Sequence, residues 1–300
     1  MSSAPVVDPH QHFWDLEHNS YPWLNGDLRL NFRYGDYSAL RRSYLPADYR
    51  RDSAGQGVVA TVHVEAEWDP TDPLGEIRWL HDLADRDGLP SAIVAQAWFD
   101  RDDIDDVLRG QAQFPLVRGI RQKPAAAPSP DTFRAGLPGS TADPAWRRGY
   151  ALLARYGLHY ELQTRYWHLG EAATLARDFP DIMLVVNHAG VPENRSAAGL
   201  AAWREGMAAL AAEPNVRVKI SGLGQPGRAW TVADNRAVVL ETIDLFGPAR
   251  CMFASNYPVD SLVAGFATIF DGFREIVAGL DAAEQRHLFH DTAVKTYRLN

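Results

Sequence analysis

The chain is short of several things, and each shortage removes a class of protein. It has one cysteine, Cys251, in 300 residues, so it can build neither a disulfide framework nor a cysteine-rich zinc site. It has no basic block: 30 lysines and arginines stand against 38 acidic residues, a net charge of −8, which argues against nucleic acid as a partner. No apolar run approaches the ~20 residues of a membrane span, so no membrane partner is expected. The opening Met1-Ser-Ser-Ala-Pro5 lacks the basic and apolar segments of a secretory signal. The expectation is a cytoplasmic protein acting on a small molecule, with a homo-oligomer left open. No Gly-x-Gly-x-x-Gly follows an apolar run, which places a doubly wound dinucleotide fold second.

What is present is an alternation. Short, mostly apolar, β-branched runs occur at 6–12, 58–66, 91–99, 116–122, 159–164, 182–188, 216–222 and 251–256. Such runs read as buried parallel strands. Helical patterns lie between them, at 73–86, 144–156, 200–212 and 232–246, with Asp143 placed as an N-cap and Gly247-Pro248 as a stop. Eight strands with intervening helices is the count of an α/β fold of the (β/α)8 TIM-barrel type, here one domain over 1–300. Two segments interrupt the rhythm. Residues 13–57 carry nine aromatics from Phe13 and Trp14 to Tyr49 and are far longer than a βα loop. They read as an aromatic-rich, cap-like insertion after strand one. Residues 123–142, rich in Pro, Ala and Gly, read as a loop after strand four.

In such a barrel, chemistry sits where strands end. His10 and His12 share a face of the first strand, about 7 Å apart, and His188 closes the sixth. Three neutral imidazoles can hold zinc and leave a fourth position for water. Other polar residues recur in phase at strand ends: His63, Glu65 and Glu67; Arg118 and Arg121; Glu161 and Gln163; Lys219 and Ser221. Buried charge is costly unless paired, so Lys219 with Glu161 or Glu65 also reads as an interior ion pair. Arg118, Arg121, Lys123 and Arg165 suit a substrate carboxylate. Trp14, Trp68, Trp98, Trp167 and Tyr257 could wall a flat or sugar ring.

The ordered set Asp8-Pro-His10-Gln-His12-Phe-Trp14, Tyr21-Pro-Trp23-Leu24, Val117-Arg118-Gly-Ile-Arg121, Asn187-His188-Ala-Gly190, Lys219-Ile-Ser221-Gly222 and Phe253-Ala-Ser255-Asn256-Tyr-Pro258 resembles the amidohydrolase superfamily. More narrowly, it resembles the amidohydrolase-2 branch of sugar-lactonase and pyrone-dicarboxylate-lactonase-like proteins. The resemblance spans almost the whole chain. It implies a (β/α)8 barrel and hydrolysis of a sugar or carboxylated lactone. It implies a divalent metal, zinc first, on His10, His12 and His188, although some lactonases of this branch work without one. The implied catalytic set is His10, His12, His188 and Asn256, with Arg118, Arg121, Trp14, Glu65, Gln163 and Tyr257 on the substrate. One position departs. Where the branch usually has Ser-Asp-Trp-Pro, with the aspartate as ligand and acid/base, this chain has Ser255-Asn256-Tyr257-Pro258. A neutral amide cannot serve as that base; Asp260, His188, Glu65 and Glu161 are the substitutes. Two other readings stay open: a metal-dependent decarboxylase of an aromatic or unsaturated acid, and an inactive ligand-binding barrel.

Overall fold

The computed structural model describes residues 5–299. Eight parallel strands form one sheet in sequence order: β1 (Val6–Gln11), β2 (Val58–Val64), β3 (Ala92–Gln96), β4 (Val117–Arg121), β5 (His159–Leu162), β6 (Leu184–Val186), β7 (Val216–Ile220) and β8 (Cys251–Phe253). Each lies inside the run expected from sequence and stops short of its polar end. Beyond these ends His12, Gln163, His188 and Asn256 leave the ladder and turn into the barrel mouth. Helices of eight to fifteen residues follow most strands, among them Gly75–Asp87, Ala197–Ala211 and Val232–Phe246. The expected Asp143 cap is formed, its carboxylate accepting from Ala145 N at 2.9 Å. The stretch expected as one helix over 144–156 is two, Pro144–Ala151 and Leu153–Tyr156.

The barrel closes between β8 and β1. Asn256 N donates to His10 O at 2.8 Å and His12 N to Tyr257 O at 2.7 Å. Asp8 adds a buried clamp across the same seam. Its carboxylate accepts from Ser255 N (2.9 Å), Ser255 Oγ (2.6 Å) and Tyr49 Oη (2.8 Å). A charged acceptor satisfied by three donors is worth far more than a neutral contact, and here it fixes the spacing of His10, His12 and Asn256.

The apolar residues divide into two cores. The larger lies between strands and helices. The smaller fills the barrel interior with Val7, Val62, Val64, Val94, Val185 and Met252, sealed at one end by Ala293 and Tyr297. Above it lies a buried polar layer. Lys219 Nζ donates to Glu161 Oε2 at 2.5 Å, and Asn187 and Tyr297 donate to the same carboxylate. This is the interior ion pair anticipated for Lys219.

Candidate active site

The mouth at the strand C-terminal ends opens into a cavity of about 400 Å³. His12, His188, Asn256 and Arg121 lie at its floor, and Trp14, Trp23 and Phe32 supply aromatic wall. All three come from the long β1–β2 connection. Trp14 also stacks on His12, with ring centroids 6.3 Å apart and planes at 25°.

The floor histidines have different protonation patterns, set by their partners. His12 Nδ1 is 2.7 Å from Val64 O. A carbonyl only accepts, so Nδ1 carries the proton and Nε2 offers a lone pair. His12 therefore cannot donate to a lactone carbonyl through Nε2 while neutral. His188 Nδ1 is 2.9 Å from Ser221 Oγ, a hydroxyl buried to 1% exposure. Ser221 Oγ has no other hydrogen-bond partner among the described residues, so its O–H is satisfied only by donating to Nδ1, and on that argument the His188 proton is assigned to Nε2. The site thus pairs one imidazole acceptor with one imidazole donor. His10 packs 5.1 Å from His12 and 4.7 Å from His188, centroid to centroid. It lies beneath the floor, with both ring nitrogens buried and unpartnered.

Asn256 faces His12, with Oδ1 3.4 Å from Nε2. Its Nδ2 donates to Asp260 Oδ1 at 2.6 Å, which fixes the amide orientation. Asp260 therefore stands behind Asn256 rather than in the cavity. It also accepts from Tyr34 Oη at 3.0 Å and lies 3.6 Å from Arg33. Burial pushes its carboxyl above the usual range, with Arg33 opposing. Four residues lining the cavity hold left-handed backbone: Glu67 (φ 58), His188 (φ 55), Val191 (φ 50) and Asn256 (φ 55). Such conformations cost roughly 1–2 kcal/mol each for non-glycine residues, and clustered strain of this kind accompanies functional sites. Gly222 (φ +60) meets a tighter demand: a Cβ there would come within 2.6 Å of both His188 Nδ1 and Arg33 Nη2.

Several residues anticipated at the site are elsewhere. Arg118 donates through Nε to Tyr297 O at 2.7 Å, and through Nη1 to Pro115 O. It sits near the start of β4, at the end opposite the cavity, so it cannot hold substrate. Tyr257 turns its hydroxyl to Ala264 O at 2.7 Å and serves the β8–β1 seam. His63 points between barrel and helix, accepting from Phe13 N at 3.0 Å and lying 3.2 Å from Glu76 Oε1. Glu65 is buried beside the floor and holds Arg121, accepting from its Nε at 2.5 Å, while Glu65 O accepts from Nη2 at 2.5 Å. Breaking such a buried pair costs about 3–5 kcal/mol, so Glu65 positions Arg121 rather than moving protons. Arg121 Nη1 remains, with only a 3.4 Å contact to Gln163 Oε1. Gln163 lines the cavity as expected. Residues that the sequence did not single out also line it: Arg33, from the long connection, and Glu193, paired with Arg165. Only the aromatic setting of Arg33, Phe32-Arg33-Tyr34, hinted at its place.

The donor chemistry suits a divalent cation. His12 Nε2 and Asn256 Oδ1 are both acceptors, and two ligands at ~2.1 Å on a tetrahedral ion lie about 3.4 Å apart, matching the spacing found. The three-histidine cage anticipated from sequence is not assembled. Among the described residues no group of three or more His, Cys, Asp or Glu side chains is disposed to hold a metal ion. The His10 and His12 ring planes stand 75° apart, and with Ser221 donating to Nδ1 the His188 Nε2 carries a proton rather than a free lone pair.

Burial holds the pKa of His10, His12 and His188 well below 6.5, with Lys219, Arg121 and Arg33 respectively the next contributors. All three are neutral near pH 7. The unfolded chain takes up protons below pH 6.5 that the folded chain refuses, so this stability is complete above about 6.5 and lost as pH falls. Each histidine contributes a slope of up to about 1.4 kcal/mol per pH unit. Calorimetry from pH 7.5 to 5 is expected to show a steadily falling melting temperature. A flat profile would contradict these neutral burials.

The sequence model of the family described as Amidohydrolase matches residues 7–299. The uncharacterized protein y4mH of Sinorhizobium fredii is 41% identical, with 100% of both chains covered. An L-fucono-1,5-lactonase of Burkholderia multivorans is 28% identical over 98% of this chain and 96% of its own. A solved amidohydrolase of Burkholderia multivorans with bound zinc superposes at a TM-score of 0.81, with 26% identity, covering 99% of this chain and 100% of that one.

Proposed function

The chain belongs to the amidohydrolase family, and from that premise we propose that it is a lactonase opening a polyhydroxylated sugar-type lactone by water attack. The observation that carries this reading is the complementary pair on the cavity floor: a lone pair on His12 Nε2 and a proton on His188 Nε2. Neutral His12 takes the proton from a water held between Nε2 and Asn256 Oδ1. General-base help of this kind contributes ~10²–10⁴-fold. His188 Nε2–H and the Arg121 guanidinium stabilise the oxyanion as the carbonyl becomes tetrahedral. The proton on His12 then returns to the ring oxygen as the C–O bond breaks, giving the open hydroxy acid. Zinc, when bound, would be held by His12 and Asn256 with His10 and His188 close by, and would polarise the carbonyl as a Lewis acid.

The walls support a sugar ring. Trp14, Trp23 and Phe32 offer apolar faces, and the rim pairs Lys123–Glu67 and Arg165–Glu193 offer both donors and acceptors to hydroxyls. The β1–β2 connection over 13–57 acts as the cap of this site. The lactonase relative of Burkholderia multivorans adds weight to the lactone class. The test is a panel of aldono-1,5-lactones, L-fucono-1,5-lactone and D-glucono-1,5-lactone included, followed by a pH indicator. At least one should reach a kcat/KM on the order of 10⁴ M⁻¹s⁻¹. No turnover above the spontaneous rate across the panel would overturn the reading.

A further inference from the structure

The loop after β4 forms one side of the cavity mouth, where Lys123, Pro124 and Ala126 line the cavity. Between Lys123 and Gly139 only Pro124 and Ala127 are buried, so apolar packing does little to hold this loop down. Ala125 N donates to Gly139 O at 2.9 Å and closes the loop on itself. Lys123 pairs with Glu67 across the mouth, both side chains partly in solvent, and such a pair contributes little. What fixes the loop over the cavity must therefore come from a neighbouring element.

The tethers converge on one side chain. His168 is buried to 2% exposure, in the short turn Tyr166–His168 that leads into the helix Leu169–Asp178. Its Nε2 is 2.8 Å from Ala127 N. A backbone N–H only donates, so Nε2 carries the lone pair and Nδ1 the proton. Nδ1 lies 2.7 Å from Glu171 Oε2, and this acceptor fixes the tautomer. The other Glu171 oxygen accepts from Gly136 N at 2.9 Å. The Phe133 ring packs edge-on against His168, with centroids 4.9 Å apart, and Trp167 Nε1 donates to Ala127 O at 3.0 Å. Ala127, Phe133 and Gly136 thus all meet the His168–Glu171 pair or its neighbour. The same βα unit supplies Gln163, Thr164 and Arg165 to the cavity wall from the end of β5. Neither His168 nor Glu171 lines the cavity or enters the hydrolytic step.

We propose that His168 is a positioning residue: it latches the loop after β4 over the cavity, and the latch sets how tightly substrate is held. Ala127 is the next residue after Ala126 of the cavity wall. Losing the Nε2 acceptor leaves a buried N–H unsatisfied and frees the wall beside it. Open and latched forms then compete, and apparent affinity falls with the latched fraction. Saturating substrate holds the loop down by its own contacts, so the chemical step is left nearly as it was. The latch goes beyond the lactonase reading, and only the kinetic arm of its test rests on that reading.

Trypsin reads the loop without any substrate. Lys123 precedes a proline, which leaves Arg134 as the tryptic site of residues 123–142, and Arg134 is exposed. Cleavage there requires the loop to open locally. His168→Asn keeps a donor for Glu171 and places no acceptor at Ala127 N. Cleavage after Arg134, followed by mass spectrometry, should become about tenfold faster, and KM on the best lactone of the panel should rise by a similar factor, with kcat within about twofold of native. His168→Gln carries an amide oxygen that reaches Ala127 N and should return both towards native. Glu171→Gln is the second variant. Whichever way its amide turns, either Gly136 N–H or His168 Nδ1–H meets another donor, so cleavage should become about threefold faster. Should His168→Asn not fold, Glu171→Gln decides alone. Native cleavage in these variants would overturn the latch, and so would equal effects of His168→Asn and His168→Gln, the mark of a residue that only fills space. Faster cleavage with unchanged KM would show a loop that moves without positioning substrate and would defeat the proposal. Faster cleavage reversed by His168→Gln, with no lactone of the panel opened, would remove the lactonase and leave the latch in place.

Discussion

Replacing His12 with asparagine is expected to lower kcat by ~10²–10⁴-fold, the range for loss of a general base, with KM much less affected. Asparagine is the informative substitution because its amide nitrogen can take the place of Nδ1 and keep the bond to Val64 O, which is 2.7 Å long in the native protein. What disappears is the Nε2 lone pair facing Asn256. Alanine would also leave Val64 O without its donor, so a loss of activity there would mix chemistry with folding. The pH profile adds a second signature. Burial and Arg121 hold the His12 pKa well below its usual value, so the native enzyme should stay active through pH 7 and 6.5 and decline only in more acidic solution. The asparagine variant should lack that acid limb. His188→Ala removes the opposite member of the pair and should cost ~10²–10³-fold, the typical effect of deleting one oxyanion donor. Ser221→Ala keeps the ring but frees its tautomer, and the loss should be smaller. Initial rates from pH 5 to 8 on the best lactone of the panel decide the matter; more than a tenth of native kcat in His12→Asn would rule out His12 as the base.

Much of the barrel can be read from the sequence because buried parallel strands are continuous apolar runs, and all eight stand out between polar segments. The ends of those runs were less legible. β6 keeps only Leu184–Val186 and β8 only Cys251–Phe253 in the ladder, because the residues that follow turn into the mouth. The histidines His10, His12 and His188 were legible as a cluster, since strand ends converge in this architecture. Their individual roles were not. Which nitrogen of His12 carries the proton depends on Val64 O, fifty-two positions away, and nothing in the sequence records that contact. Arg118 and Arg121 look alike in the string Val117-Arg118-Gly-Ile-Arg121. Three residues along a strand is about 10 Å, enough to put one guanidinium on Tyr297 at the sealed end and the other at the cavity floor. Arg33 lies in a connection without periodicity, where sequence pattern has least to say.

Asn256→Asp tests the position at which this chain departs from the branch it resembles. In the native protein Asn256 Nδ2 donates to Asp260 Oδ1 across 2.6 Å. An aspartate at 256 would bring two carboxyl groups to hydrogen-bond distance in a buried setting, where both cannot be ionised. They would share one proton, and the pair would titrate together with one pKa raised strongly. Arg33, 3.6 Å from Asp260, favours leaving one negative charge on the pair. If that charge lies on the oxygen facing His12, it replaces a neutral amide ligand with an ionised one. Zinc affinity should then rise by about 10–100-fold, the scale on which the surroundings of a metal tune its binding, and competition with a chromogenic chelator would measure it. The metal-free rate should move the other way. A charge beside the developing oxyanion opposes what His188 and Arg121 stabilise, so chelated Asn256→Asp should open lactones ~10²-fold more slowly than the chelated native enzyme. Added zinc should restore the variant more than it helps the native form, because the metal neutralises that charge and polarises the carbonyl. Unchanged zinc affinity would mean that residue 256 does not share its donor edge with His12, and the arrangement of acceptor, donor and water argued for the cavity floor would have to be abandoned.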